Sequence, residues 1–377
     1  MKSFTLECYI QERDDKMNRY IVSLYYILLL LPALSLTQFF LGIYLQNRLL
    51  WFPLGIFLVG KYRRLQSFNS PILFLVLFFT LYCYLALVNG WNIQIYLGYA
   101  LTFSLLLVSN SMVFAYKDLF LSFFKAFFVL NVCYVLLQLI FLNAGLSSFA
   151  IAHTNLPAQI NDGYTIPVFI QAPFFRYTGL FNESSPFAFY LCICFCFFTS
   201  LGIKYELYKK VTLVLLLFSG AKFAYLFLLL YMVIIVRSKI LQILSIVILV
   251  GVIYLFISDF NYLMELTAGE MASFDGRFRE LEGIDSRFSL WGNGLGKSST
   301  GEVPLDMYSI LLAGFGGCGM IVIFILIIGF YISIKSRHKK AFILPFVVGT
   351  LSCGSLLIVQ YSLLSYCLIY LHKNEDY

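Results

Sequence analysis

The chain has 377 residues, 61% hydrophobic, 19% aromatic and only 12% charged, with a mean hydropathy of +0.86. A soluble domain carries about 25% charged residues, so these figures exclude a soluble globular protein and predict an integral membrane one. The formal charge of +7 does not mark a nucleic-acid binder, because Lys and Arg fall in short clusters at the ends of apolar runs, as positive-inside topology requires.

The apolar runs are long and aromatic and lack the alternating pattern of barrel strands, which predicts helices. Residues 1–19 are polar and of mixed charge, with no cleavable signal pattern, so the stretch from Tyr20 reads as a retained first span. It extends to about Leu45, with a kink expected at Pro32. Gln46-Asn47-Arg48 is a polar turn, and a short arm over 49–60 ends at Lys61, Arg63 and Arg64. Spans follow over 71–88, 95–115 and 119–143, separated by the small loop 89–94 and by Lys117. Lys125 lies near the inner end of its span, within snorkelling reach.

A first large loop, 144–181, is rich in Pro, Asn, Gln and Thr. The next span, 185–203, ends at Lys204, Lys209 and Lys210. Two short arms, 211–218 and 223–236, flank Ser219-Gly220-Ala221-Lys222, and Arg237 and Lys239 precede a span over 240–258. A second large loop, 259–304, packs eight carboxylates and four Lys/Arg into 46 residues. A long span over 305–334, the cluster Lys335, Arg337, Lys339 and Lys340, and two arms over 341–353 and 356–371 close the chain.

With the amino terminus inside, alternate counting brings every Lys/Arg cluster to the inner side and both large loops to the outer side. The expected fold class is an all-α polytopic membrane helix bundle of about 12 spans (10–12). Both termini are expected in the cytoplasm, with a single domain over 1–377 and no internal repeat. Several arms fall short of the roughly 20 residues that cross a bilayer. Half-spans therefore stay open at 49–60, 211–236 and 341–371, and merging adjacent arms lowers the count without flipping either large loop.

Eight of the nine cysteines lie in apolar runs and neither large loop holds one, which argues against a disulfide framework or a zinc site. Cys192, Cys194 and Cys196 read as small packing residues. His153 shares the first loop with Asp162 but has no further ligand partner, so a metal site is not expected. Gly292-Asn293-Gly294-Leu295-Gly296-Lys297-Ser298 has the end of a phosphate loop, yet Trp291 stands where the first Gly is required. Gly314, Gly316, Gly317 and Gly319 suit a close helix-packing face.

Three places concentrate outer charge. Arg176 is the one Lys/Arg of the first loop, in Phe175-Arg176-Tyr177-Thr178-Gly179-Leu180-Phe181-Asn182-Glu183-Ser184-Ser185-Pro186. Pro186 with Asn182 or Ser184 suits a capped helix start, and an Arg beside it suits an anion; the two readings do not exclude each other. Lys222 falls on the outer side with only apolar residues after it. It either reaches an anion, as an ionisable group at such a site does by default, or snorkels from a short helix end. In the second loop Arg277, Arg279 and Arg287 alternate with Asp275, Glu280, Glu282 and Asp285. Asp275 and Arg279 are four apart, so an amphipathic surface helix with internal ion pairs competes with a chemical site.

Together these features resemble the O-antigen polymerase and O-antigen ligase family of bacterial polysaccharide-assembly membrane proteins. The likeness in layout covers nearly the whole chain; the local motifs are short. Arg176 with Gly179, Phe181 and Pro186 resembles the family's Arg-Gly-Phe-Pro start of a central span. Ser219-Gly220-Ala221-Lys222 resembles its small-residue turn ending in a cation, with Lys where Arg is usual. Asp275-Gly276-Arg277 followed by Gly292–Gly296 resembles the Arg-then-Gly segment of its late loop, and Asp306-Met307-Tyr308 with Gly314 and Gly317 the start of the next span. The His-Asn pair of many ligases is replaced here by Leu305-Asp306, which favours a polymerase over a ligase.

The resemblance implies glycosyl transfer between lipid-linked oligosaccharide repeats at the outer face of the bacterial inner membrane, with undecaprenyl pyrophosphate as leaving group. Donor, acceptor and bilayer are the implied partners, together with a chain-length regulator protein; no cofactor or metal is implied. Arg176, Lys222 and Arg277 are the expected pyrophosphate ligands, with Arg279 and Arg287 in reserve, since bidentate Arg matches phosphate oxygens. Glu183, Glu280, Glu282 and Asp306 are the alternatives for the base that takes the acceptor proton. The competing classes are a ligase, a flippase for the same lipids, which predicts charges within spans and pseudo-symmetric halves, and a non-catalytic membrane component.

Overall fold

The computed structural model describes residues 18–27, 70–91, 93–144, 177–181, 184–219, 221–236, 238–258, 290–292, 314–322, 324–325, 328, 339–352 and 358–373. Regular structure among these is helical throughout. We number the helices α1 (18–27), α2 (Ser70–Asn89), α3 (Ile93–Ala115), α4 (Lys117–Asn143), α5 (Ser184–Ser200), α6 (Glu206–Phe218), α7 (Lys222–Ile234), α8 (Lys239–Ser258), α9 (314–322), α10 (Lys339–Ser352) and α11 (Ile358–Lys373). A single 3-10 turn, Ile203–Tyr205, leads into α6.

These segments form helices because they are apolar runs whose few polar side chains bond their own backbone. Thr80, Ser104, Thr199, Ser200 and Thr212 each donate a hydroxyl to the carbonyl four residues back, at 2.6–2.8 Å, which removes the cost of an unmet polar group in apolar surroundings. The helices stop where the sequence supplies a breaker. Gly90 takes φ +66 after α2 and the Trp91 N–H closes onto the Ala86 carbonyl at 2.8 Å, the six-to-one closure that ends a helix on a left-handed glycine. After α7, the Gln242 side-chain amide reaches back to the carbonyls of Val233 and Val236 at 3.1 and 2.7 Å.

At the centre stands α5, buried on every side from Phe187 to Phe198. A helix apolar all round is stable only inside a bundle, and α5 touches α6, α7, α10 and α11. Its aromatic face meets α4 through Phe124–Phe197 and Phe127–Tyr190, with ring centroids 4.9 and 5.2 Å apart. Such edge-on pairs add to the burial term. By contrast α8 leaves Ile240, Ile243, Val247 and Val250 exposed, and α2 leaves Leu77, Leu81, Tyr84 and Val88 exposed.

Helix ends that carry basic residues gather together. Tyr26, seven residues past Arg19, stacks against Phe123 and lies 6.0 Å from Phe120, just past Lys117. Phe120 in turn meets Phe197 and Tyr370, which precede Lys204 and Lys373. The Tyr25 and Tyr366 hydroxyls share a 3.0 Å hydrogen bond, and the Cys196 thiol donates to the Ala341 carbonyl beside Lys340 at 3.1 Å. In α6 itself, Glu206 accepts from Lys209 at 2.7 Å, and that hydrogen bond holds its carboxyl below the ordinary value. An exposed pair of this kind adds little stability.

One described helix, Lys117–Phe141, is both long and apolar enough to cross a membrane by length and composition. The apolar parts of Leu73–Asn89, Pro186–Ser200, Ala224–Ile234, Lys239–Ile248 and Ser362–Leu371 are shorter within the described residues.

Candidate functional site

The end of the first loop is built into the bundle. Thr178 to Phe181 forms a turn closed by the Phe181 N–H on the Thr178 carbonyl at 3.1 Å. Two carboxamides of α4, Asn131 and Gln138, receive it. The Leu180 N–H donates to Asn131 Oδ1 at 3.1 Å and the Gly179 N–H to Gln138 Oε1 at 3.2 Å. Gln138 Nε2 donates to the Thr178 hydroxyl at 2.9 Å, while Asn131 Nδ2 donates to the Phe127 carbonyl at 3.0 Å. Asn131, Gln138 and Thr178 are fully buried.

Gly179 explains why the turn fits. It takes φ +54, where a side chain is strained, and a Cβ there would come within 2.7 Å of both Asn131 Oδ1 and the Phe187 ring. Phe181 then fills the space between α4 and α5, its ring 5.3 Å from Tyr190 and about 6 Å from Phe127 and Phe187. Tyr177 packs against the same core, and partial burial raises its phenol above the ordinary value of 10.

A second pinned segment, Leu290–Gly292, belongs to the late loop. The buried Tyr82 hydroxyl of α2 faces the carbonyls of Phe315 and Trp291 at 2.9 and 3.2 Å, and the Cys318 N–H donates to the Leu290 carbonyl at 3.1 Å. Gly292 takes φ +81, and a Cβ there would meet the Gly314 carbonyl oxygen at 2.5 Å. Two backbones therefore touch at a place where Gly292 has no room for a side chain. Gly316, in the first turn of α9, takes φ +61. Phe315 is buried among Phe78, Phe79, Tyr82 and Tyr96.

A third feature is the break between α6 and α7. Ser219, Ala221 and Ala224 are buried, the Ser219 hydroxyl donates to the Leu216 carbonyl at 2.9 Å, and the Ala221 N–H reaches the Ser219 oxygen at 3.4 Å. Lys222 is the first residue of α7. Both arms are 13-residue helices; the first starts at Glu206, five residues before the expected bound of 211, and the second ends at Ile234, two before the expected bound of 236.

Of the candidate pyrophosphate ligands and bases, Lys222 alone has a described backbone. Arg176, Glu183, Arg277, Arg279, Glu280, Glu282, Arg287 and Asp306 lie outside the described residues. Arg176 is nonetheless bonded to Tyr177, and Glu183 follows Phe181 by two positions and immediately precedes α5. Sequence reading passed over Asn131, Gln138 and Tyr82. The signal for the first two was present: carboxamides seven apart in an apolar run share a helix face. Among the described residues no group of three or more His, Cys, Asp or Glu is arranged to hold a metal ion. The chain matches no protein-family model, no curated protein and no solved structure.

Proposed function

We propose that this chain is a membrane-embedded polysaccharide polymerase that joins undecaprenyl-pyrophosphate-linked oligosaccharide repeats at the outer face of the bacterial inner membrane. The observation that carries this reading is the built-in turn Thr178–Phe181. Within the stretch that gives the likeness to the family's Arg-Gly-Phe-Pro segment, Thr178–Phe181 is a buried, hydrogen-bonded turn. A spacer loop has no need of two buried carboxamides.

Three further observations support it. Exposed apolar rows on α2 and α8 are costly in water and natural in lipid. The gathered basic helix ends agree with a common cytoplasmic side for Arg19, Lys117, Lys204, Lys340 and Lys373, in a bundle of ten to twelve spans with both termini inside. The two 13-residue arms are each about 20 Å long by helical rise, short of a hydrocarbon core of roughly 30 Å. Their junction therefore falls inside the bilayer, where irregular backbone is tolerated only when protein buries it or it lines a cavity.

In this reading the acceptor hydroxyl attacks the anomeric carbon of the donor. The new C–O bond forms as the bond to pyrophosphate breaks, the electron pair leaves with the lipid pyrophosphate, and the acceptor proton passes to a carboxylate. Arg176, Lys222 and Arg277 bind the departing charge, assisted by Arg279 and Arg287, since preorganised cations act most strongly where water is excluded. Glu183, Glu280, Glu282 and Asp306 are the candidates for the base.

The test is the lipopolysaccharide ladder of a strain lacking this gene but keeping its flippase and ligase. Collapse to core plus one repeat is the expected result, and Arg277→Ala should reproduce it with at least about a hundredfold loss of polymer, the scale of removing one oxyanion-stabilising donor. Core alone would assign the chain to ligation or flipping instead. An unchanged ladder would remove O-antigen from consideration.

A further inference from the structure

We infer that the turn after α5 and the outward face of α6 form a binding site for an anionic phospholipid of the cytoplasmic leaflet, with Lys204 and Lys210 on its phosphate. The inference rests on the membrane-embedded topology proposed above and not on the polymerase chemistry.

The chain leaves α5 at Gly202, which takes φ +82, and enters α6 through the 3-10 turn Ile203–Tyr205. Two tyrosines fix this junction to the bundle. The Tyr205 ring stacks on Phe198 with centroids 6.2 Å apart, and the Tyr208 ring lies 5.0 Å from Phe198 and 5.8 Å from Phe128 of α4. Thr212 and Leu216 continue the same inward face and are buried. Positions 205, 208, 212 and 216 make one helical stripe, so the opposite stripe is held facing away from the bundle.

That outward stripe is Ile203, Leu207, Lys210, Val214, Leu217 and Phe218, all exposed. Lys204 is exposed beside Ile203. Ile203 is 92% and Leu207 72% exposed, so two apolar anchors stand among the cations. The charge here is unbalanced as well. Glu206 is taken by Lys209 at 2.7 Å, and neither Lys204 nor Lys210 has an ion pair among the described residues. A helical side chain covers the turn N-terminal to its own Cα, so Lys210 serves the Lys204 end of the stripe.

Length decides what fits. From Leu207 to Phe218 the stripe rises about 16 Å, close to the roughly 15 Å of hydrocarbon in one leaflet. A ligand with an anion at one end and an acyl chain along the rest matches the whole face. Inorganic phosphate would leave Ile203 and Leu207 bare, and an acidic soluble protein would meet only the charged end.

The experiment reconstitutes the full-length chain in phosphatidylcholine vesicles containing either dibrominated phosphatidylcholine or dibrominated phosphatidylglycerol. Val214→Trp reports on the stripe, and Leu81→Trp reports on the exposed row of α2 away from it. The parent chain, with its three tryptophans, sets the background. At Val214→Trp the anionic lipid should quench with an apparent affinity about tenfold above that of the zwitterionic one, on a scale of about fivefold per cation at a membrane surface. Leu81→Trp should be quenched by both alike.

Adding Lys204→Gln and Lys210→Gln should bring the Val214→Trp preference to within about twofold of unity, whereas Lys204→Arg with Lys210→Arg should keep it. If the glutamine variants do not accumulate, salt decides on the unaltered lysines. Raising it from about 0.02 to about 0.5 M should cut the preference at least about threefold, because exposed charges are screened. Equal quenching by the two lipids at Val214→Trp overturns the site, as does a preference that survives the glutamine pair or the salt. Quenching at Leu81→Trp alone means that protein covers the stripe, which overturns it too. No quenching at either position removes the membrane-embedded topology itself, so the two failures are told apart.

Discussion

A single methyl group probes both pinned turns, because four of the five described positive-φ glycines fall into two different settings. Gly90 and Gly202, at φ +66 and +82, have nothing within 4 Å of a built Cβ, whereas Gly179 and Gly292 would collide with Asn131, Phe187 and the Gly314 backbone. Left-handed strain alone costs about 1–2 kcal/mol, and forced overpacking adds roughly 1–3 kcal/mol. Gly90→Ala and Gly202→Ala should therefore lower stability by about 1 kcal/mol, and Gly179→Ala and Gly292→Ala by about 3 kcal/mol. Gly292→Ala should be the worse of the second pair, since its neighbour is backbone and has no rotamer to change. Thermal melting of the detergent-purified protein ranks the four; equal shifts would contradict the contacts. Gly179 was legible in the sequence as part of a short motif. Its counterpart Gly292 read as one glycine of a Gly-rich run, because nothing local reveals that Gly314 lies against it.

Between elements, Tyr82 carries more than its place in α2 suggests. Its hydroxyl serves the carbonyls of Trp291 and Phe315, which lie 209 and 233 residues away. Tyr82→Phe keeps the ring among Phe78, Tyr96 and Phe315 and removes only the donor. Leaving those carbonyls without it should cost about 1–3 kcal/mol. Local opening should follow, seen as faster hydrogen exchange of the Cys318 amide that bonds Leu290. Slow, unchanged exchange at residues 290–292 and 314–322 would argue that Tyr82 does not hold them. Helix positions themselves were read well from the chain: spans expected over 71–88, 95–115, 119–143 and 240–258 are Ser70–Asn89, Ile93–Ala115, Lys117–Asn143 and Lys239–Ser258. The breakers at Gly90, Lys117 and Ser219–Lys222 are local chemistry, and local chemistry is what a sequence displays. Pairings such as Tyr82 with Trp291 depend on which helices become neighbours, and apolar runs of similar composition do not encode that choice visibly.

For the whole molecule, the proposed topology makes a directional forecast. The pinned segments Thr178–Phe181 and Leu290–Gly292 belong to loops assigned to the outer side, and the gathered ends near Lys117, Lys210 and Lys340 to the cytoplasm. Leu290→Cys, at an exposed position, should react with an impermeant thiol reagent in intact cells, and Lys210→Cys, also exposed, only after permeabilisation. The reverse pattern would invert the bundle and leave the charged late loop unable to meet a lipid-linked sugar outside.

The amino-acid sequence by itself determined that the described regular structure is helical, and it set most described helix ends to within a few residues. Both follow from composition, from the length of apolar runs and from breakers acting within a few residues. It also marked the charged positions, because a cation in an oily chain stands out whatever surrounds it. Only the tertiary structure decided that α5 lies at the centre, that Asn131 and Gln138 hold the first loop, and that Tyr82 and Gly314 hold the late one. Those are matches between residues dozens to hundreds of positions apart, fixed by complementary hydrogen bonds and close packing once the helices have assembled.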